Sequence, residues 1–352
     1  MRFVRSPLFW IGLVVSLGAL ALAFRGLRWG GVGDSLLDAN YGLLALAVAL
    51  MLLSLVLRGQ RWAVLFYPRK GMSLGNLTGA LNVGYAFNNI LPLRVGELAR
   101  AYVIGEAEDV SSAHALSTIV VERTLDTLTV VALLLITIPF IDAPDWVKGP
   151  AVLVGLGFLG LAVLLAAVSA AQERAMALVS RLARFLPKRF RARTERAAES
   201  ALEGFAVLRR PAVLAQAVGW SVASWLTSAA LVFVTLRAFD LELSFTAALF
   251  VMGATSLGMI VPSSPGYIGV YHAIAIESLV TVFDVGRDQA ASFALVQHAI
   301  LYLTPIVIGA VYLWRERRIW RQARLWALDR AAAETPVVPA GDVGRDATDS
   351  AE

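Results

Sequence analysis

The 352-residue chain has no cysteine, only three histidines, and charge on just 16% of its residues. Without cysteine there are no disulfides, no thiol nucleophile, and no thiolate-held zinc or iron–sulfur cluster. His114, His272 and His298 are far apart in sequence, so neither a histidine-rich metal site nor a resident cofactor is expected. Soluble chains carry about a quarter charged residues. Here 58% of the residues are hydrophobic instead, which makes the bilayer the solvent to reason about. The formal net charge of +5 is then no sign of nucleic acid, because Lys and Arg of membrane proteins gather on the cytoplasmic side.

A helical span takes roughly 17 to 25 apolar residues. Six stretches qualify, at 8–24, 41–57, 114–140, 150–170, 212–236 and 290–314. The first has Arg2 and Arg5 before it and Ala21-Leu22-Ala23 near its end, the marks of a signal peptide. Its apolar core exceeds the roughly 7 to 15 residues of such peptides, so a retained span is expected.

Two further stretches are apolar but interrupted. Residues 74–105 break at Asn88-Asn89-Ile90-Leu91-Pro92, and residues 245–283 at Pro262-Ser263-Ser264-Pro265-Gly266. Charge decides how they run. Residues 172–210 hold ten Lys or Arg against four Glu, which makes that segment cytoplasmic. Counting spans outward from it puts both termini in the cytoplasm, both ends of 74–105 inside, and both ends of 245–283 outside. The expected fold is therefore all-α: six full spans plus two re-entrant helical hairpins entering from opposite faces. Backbone that leaves helical geometry at membrane depth needs protein or a watery cavity around it, and such places are where transporters bind.

A shift of 170 residues lays Pro92 and Gly96 on Pro262 and Gly266, and the flanking spans follow. The two units, about 41–140 and 212–314, have opposite charge-derived topology, so they read as an inverted repeat. Pro92, Pro262 and Pro265 are its candidate hinges, and residues near Pro92 and Pro262 are expected to touch. The plainer alternative is that these prolines and glycines kink packed helices.

Ser263-Ser264-Pro265-Gly266 reads as a helix start, with Ser264 as N-cap and Pro265 at the first helical position, running on through Tyr267 to His272. A helix start aimed into the membrane suits a phosphate. In the first hairpin the matching start, near Gly96, carries Arg94, followed by Glu97 and Arg100. Either Arg94 helps bind an anion or it pairs with Glu97.

Glu122, Arg123 and Asp126 share one face of the third span, where ionisable groups are by default functional. Three readings stand: Arg123 binds an anion, an acid carries a coupled proton, or the three neutralise one another. Arg58, Arg61 and Trp62 follow the second span and read as snorkelling anchors or headgroup contacts. His298 reads as paired with Gln297, whereas His272 lies closer to the second break. The segment 172–210 reads as amphipathic helix on the inner leaflet, and 331–352, with five acids and one arginine, as a disordered tail after a membrane domain of residues 1–330.

At Leu91-Pro92-Leu93-Arg94-Val95-Gly96-Glu97, Val121-Glu122-Arg123-Thr124-Leu125-Asp126 and Pro262-Ser263-Ser264-Pro265-Gly266-Tyr267-Ile268-Gly269-Val270, the chain resembles the lysylphosphatidylglycerol synthase transmembrane-domain family, also called flippase-like or UPF0104 proteins. The resemblance spans about residues 8–315. It implies a bacterial or archaeal cytoplasmic-membrane protein related to the lipid-flipping half of the multiple peptide resistance factor. No acyltransferase domain is expected after residue 330, so a synthase activity is not. Tyr267 replaces a family glycine, and Tyr271-His272 stand where the family has an acid. The expectation is a translocator of an anionic or phosphate-linked lipid, with no cofactor. An enzyme acting on a lipid phosphate, or a helper of an envelope-biosynthesis enzyme such as a glycosyltransferase, are the alternatives.

Overall fold

The computed structural model describes residues 7–91, 95–141, 143–185, 187–260 and 263–316. Among them the chain forms thirteen α-helices and no strand. In order these are α1 (Pro7–Phe24), α2 (Trp29–Leu37), α3 (Tyr41–Leu65), α4 (Leu74–Ile90), α5 (Gly96–Glu108), α6 (Ser112–Thr137), α7 (Asp145–Ala170), α8 (Gln172–Ala183), α9 (Lys188–Glu203), α10 (Pro211–Ala238), α11 (Phe245–Gly258), α12 (Val270–Phe283) and α13 (Arg287–Arg315). Side-chain caps satisfy several free N–H groups at helix starts. Asn40 accepts from Leu43 N at the head of α3, Ser73 from Asn76 N at α4, Ser111 from Ala113 N and His114 N at α6, and Ser244 from Ala247 N at α11.

Five stretches are long and apolar enough to cross a membrane: α3, α7, α10, α13 and residues Pro265–Phe283. α6 has the length, at 26 residues, but carries Glu122, Arg123 and Asp126 in its middle. α1 begins at Pro7, and its described apolar portion is shorter. Leucines and valines of α3 and α7 face outward, among them Leu52, Leu53, Leu153, Leu156 and Val163. A continuous apolar exterior of this kind suits lipid and is foreign to a soluble domain.

Helix packing in lipid gains little from hydrophobic burial; it relies on close approach and on polar contacts between helices. The most extensive contact is α3 on α10. At its centre the Ser54 hydroxyl donates to the Ser224 carbonyl (3.3 Å) and lies 3.1 Å from the Ser228 hydroxyl. α4 packs on α13 and α11 on α6, while α4–α5, α5–α6, α11–α12 and α12–α13 also pair. Small residues allow these approaches. A Cβ on Gly309 of α13 would stand 2.8 Å from the Asn82 carbonyl, and one on Gly253 of α11 would stand 3.0 Å from Leu134 of α6.

Both interrupted stretches are helix–break–helix. In the first, α4 ends at Ile90 and α5 begins at Gly96, whose N–H donates to Asn88 Oδ1 (2.8 Å). In the second the helix expected from Pro265 onward does not form there. Pro265–Tyr267 make a single 3-10 turn, and α12 starts only at Val270. The reason is local: Gly266, Tyr267 and Gly269 have φ of 70°, 59° and 92°, which no α-helix tolerates. A Cβ on Gly269 would overlap the Ser16 carbonyl of α1, so only glycine lets the break seat there.

The breaks meet on α13. Asn89 Nδ2 donates to the Tyr302 carbonyl (3.2 Å), and Tyr302 Oη donates to the Asn89 carbonyl (3.3 Å). His298 Nε2 lies 2.8 Å from the Gly266 carbonyl, and the Asn89 carbonyl would stand 3.2 Å from a Cβ on Gly266. Pro92 and Pro262 themselves lie outside the described residues, but their neighbours are in contact as expected.

Candidate functional site

The 3.6-residue period places His114, Thr118, Glu122 and Asp126 of α6 on one stripe, turned toward α3, α5 and α10. Two carboxylates on that stripe need cations, and α6 supplies only Arg123. The others come from neighbouring helices. α3 continues to Leu65, so Arg58, Arg61 and Trp62 belong to its last turns and not to the loop beyond. α5 supplies Arg100 and Glu97.

Arg61, with no exposed surface, spans both acids. Its Nη2 is 2.9 Å from Glu122 Oε1 and 3.1 Å from Asp126 Oδ2, and its Nη1 donates to Asp126 Oδ1 and to Ser221 Oγ (3.2 Å). Arg100 grips Glu122 in the same bidentate fashion, with Nη1 3.2 Å from Oε1 and Nη2 donating to Oε2. Asp126 also accepts from the Trp225 indole N–H (2.7 Å) and lies 3.6 Å from Arg58 Nη1. Aromatic faces cover the remaining charge: the Arg100 guanidinium sits 3.6 Å over Trp62, and that of Arg58 sits 4.3 Å over Trp225. The Trp62 N–H is itself satisfied by Thr118 Oγ1 at 3.0 Å. Planar, bidentate and stacked geometry is what makes arginine and not lysine fit here.

Arg123 is held differently. Its nitrogens stand 3.5 Å from Glu97, 3.5 Å from Glu122 and 3.8 Å from Asp126. Its Nε and Nη2 make no hydrogen bond among the described residues, and 37% of its side chain is exposed. The cluster thus sets four guanidiniums (Arg58, Arg61, Arg100, Arg123) against three carboxylates (Glu97, Glu122, Asp126). Its surplus is one positive charge, and the loosely held, partly open arginine is the one that expresses it.

The structure draws the sequence-predicted residues into two groups. Glu97, Arg100, Glu122, Arg123 and Asp126 form the buried cluster, joined by Arg58, Arg61 and Trp62. That membership corrects the expectation of snorkelling anchors: Arg61 and Trp62 are fully buried, because α3 runs on past residue 57 and turns them toward α6 and α5. Ser263, Ser264, Pro265, Gly266, Tyr267 and His272 form the second group, at the second break. There Ser264 N donates to Ser16 Oγ (2.7 Å), the Ser264 hydroxyl donates to the Ile268 carbonyl (3.2 Å), and Ser263 Oγ is buried without a hydrogen bond. His272 stacks edge-on against His298 (4.7 Å between ring centres). The expected His298–Gln297 pair is not seen, for the buried Gln297 amide has no hydrogen-bond partner among the described residues and His298 turns to Gly266. Gly96, tight against the Gly84 carbonyl, is the turn between the groups. Arg94 lies outside the described residues.

Ser221, Trp225 and Thr118 were not singled out from sequence. The imbalance of two acids against one arginine within α6 was the available signal that partners had to come from other spans.

A family model described as the lysylphosphatidylglycerol synthase TM region matches residues 9–309. A UPF0104 membrane protein of Methanothermobacter thermautotrophicus is 28% identical over 285 residues, covering 75% of this chain and 82% of that protein. Glycosyltransferase AglD of Haloferax volcanii is 24% identical over 341 residues, covering 88% of this chain. The chain spans only about half of the Haloferax protein's length, 54% of it.

Proposed function

Because the chain belongs to the lysylphosphatidylglycerol synthase transmembrane family, a family of membrane proteins, we propose that it is a lipid translocator whose buried arginine cluster receives the phosphate of an anionic or phosphate-linked lipid headgroup. The observation that carries this reading is Arg123: its side chain is 37% exposed and its carboxylates stand 3.5 to 3.8 Å away, beside Arg61 and Arg100, which are buried in bidentate pairs. A charged group inside a membrane protein marks a pathway more often than a prop. Glu122 and Asp126 hold Arg61 and Arg100 as a fixed wall; Arg123 leaves Glu97 to meet the headgroup while the acyl chains stay in lipid.

The proposed architecture is six spans and two re-entrant hairpins, with both termini and residues 172–210 cytoplasmic. An inverted repeat of α3–α6 and α10–α13 is supported by matched packing. α3–α4, α4–α5 and α5–α6 correspond to α10–α11, α11–α12 and α12–α13, and α4 on α13 corresponds to α11 on α6. Ser54 and Ser224, 170 positions apart, hydrogen-bond to each other, which is what residues beside a two-fold axis do. Ser73 and Ser244 cap the equivalent helices α4 and α11. Rocking one half against the other would alternate access. In this reading the break at Ser263–Gly266 lines the path.

The test is a headgroup-accessibility assay in liposomes of a fluorescent phospholipid. Faster loss of inner-leaflet protection than in empty liposomes supports translocation; equality removes it. The Haloferax relative's name favours one second reading, a membrane partner of a glycosyltransferase. Co-purification with such an enzyme, lost on deleting residues 172–210, together with no lipid exchange, would establish that reading instead.

A further inference from the structure

A second basic site lies away from the buried cluster and shares no residue with it. A cavity of about 680 Å³ opens where α3 ends, α6 begins, and the turn before α10 comes back, lined by Arg69, Ser111, His114, Glu203, Arg209 and Arg210 among others. Two helix starts border it. Ser111 caps α6, and Arg210 stands at the N-cap of α10, where no side chain caps the free N–H groups. Three arginines line the cavity against two acids, Asp109 and Glu203.

The arginines are set for a ligand more than for each other. Arg69 is braced by the carbonyls of Glu108 and Asp109 that close α5, and Arg209 by the Gln172 side chain. The Arg210 side chain is exposed and makes no hydrogen bond or ion pair among the described residues. The independent sign is His114. It is only 8% exposed and lines the cavity, its Nδ1 is 3.6 Å from Glu203, and its buried Nε2 has no hydrogen-bond partner among the described residues. Phe66 stacks on the other side of the ring at 5.4 Å and fixes its plane. A buried polar nitrogen left unpaired costs about 1–3 kcal/mol.

We infer that this cavity binds a phosphate-bearing anion, through Arg209 and Arg210 beside His114 at the paired starts of α6 and α10. Helix starts and arginine forks are the two backbone and side-chain devices that fit phosphate. The phosphate has two possible sources, a soluble phosphate compound and the headgroup of an anionic lipid. The second is within reach because α8 and the following turn expose Leu178, Leu182 and Phe185 beside the same segment. The inference does not depend on translocation, since occupancy is measured without transport.

With three histidines in the chain, ring NMR of histidine-labelled full-length protein in nanodiscs reads the site directly. In one arm sodium pyrophosphate is titrated into phosphatidylcholine nanodiscs; in the other, phosphatidylglycerol replaces part of the phosphatidylcholine with no phosphate added. The His114 resonance should shift saturably in at least one arm, while those of His272 and His298 stay put. A shift with pyrophosphate alone assigns a soluble ligand, and one with phosphatidylglycerol alone a headgroup. The double variant Arg209→Gln/Arg210→Gln, altered only at exposed positions, should weaken that response about tenfold or more. Unchanged His272 and His298 signals verify its fold. No His114 shift in either arm, or a response as tight in the double variant, overturns the inference.

Discussion

Arg61 and Arg123 both contact Glu122 and Asp126, yet their surroundings give them different work. Arg61 is fully buried, with bidentate pairing, and Arg123 is loosely paired and partly open. Removing one partner of a buried ion pair strands the other charge and costs about 3–5 kcal/mol. Glu122→Gln leaves Arg61 and Arg100 short of a carboxylate each, so a loss of that size is expected in thermal or denaturant unfolding of the purified protein. Arg123 pairs only at 3.5 to 3.8 Å, and without it Glu122 and Asp126 keep Arg61, Arg100 and Arg58. Arg123→Gln should therefore melt within a few degrees of wild type, and a collapse of stability like that of Glu122→Gln would show that Arg123 is a prop. Composition and position picked out Glu122, Arg123 and Asp126 because ionisable residues stand out in an apolar span. Their partners were less legible. Arg61 and Arg100 sit in sequence beside interfaces and breaks, where an arginine is unremarked, and only the folded helix directions bring them to α6.

At the scale of elements, apolar length made most of the long helices readable, whereas the second break was not. Pro265 after serine is an ordinary helix start, and nothing local announces that Tyr267 adopts a positive φ. That conformation is imposed from outside, by Ser16 of α1 against Gly269 and by His298 and Tyr302 of α13 around Gly266. Gly269→Ala should accordingly be far worse than an alanine at an open glycine such as Gly219, which has nothing within 4 Å of an added Cβ. Strain of a non-glycine residue in such a region is about 1–3 kcal/mol before the clash with Ser16 is added. Side-by-side melts of the two variants check this, and equal melting points would contradict the packing of α1 on the break.

At the scale of the whole molecule, the proposed repeat rests in sequence on a shift of 170 residues, because proline and glycine spacing survives where apolar residues interchange freely. The close contact of its two halves was not, since Ser54 and Ser224 look like any serines in a span. The chain's lack of cysteine makes this contact easy to probe. Ser54→Cys with Ser228→Cys, whose hydroxyls are 3.1 Å apart, should form an intramolecular disulfide under mild oxidation. If the halves rock about that contact, the bridged protein still exchanges lipid. Failure to cross-link would contradict the α3–α10 packing.

The central claim joins these scales: one surplus guanidinium, held by a repeat of broken helices, carries a lipid phosphate. Its most direct test is the rate at which labelled phospholipid crosses liposome bilayers containing equal amounts of wild type or Arg123→Gln, with their melting points measured alongside. The account predicts that wild type speeds exchange over empty liposomes and that Arg123→Gln, equally stable, loses about tenfold or more of that rate. Exchange by Arg123→Gln as fast as by wild type would contradict it.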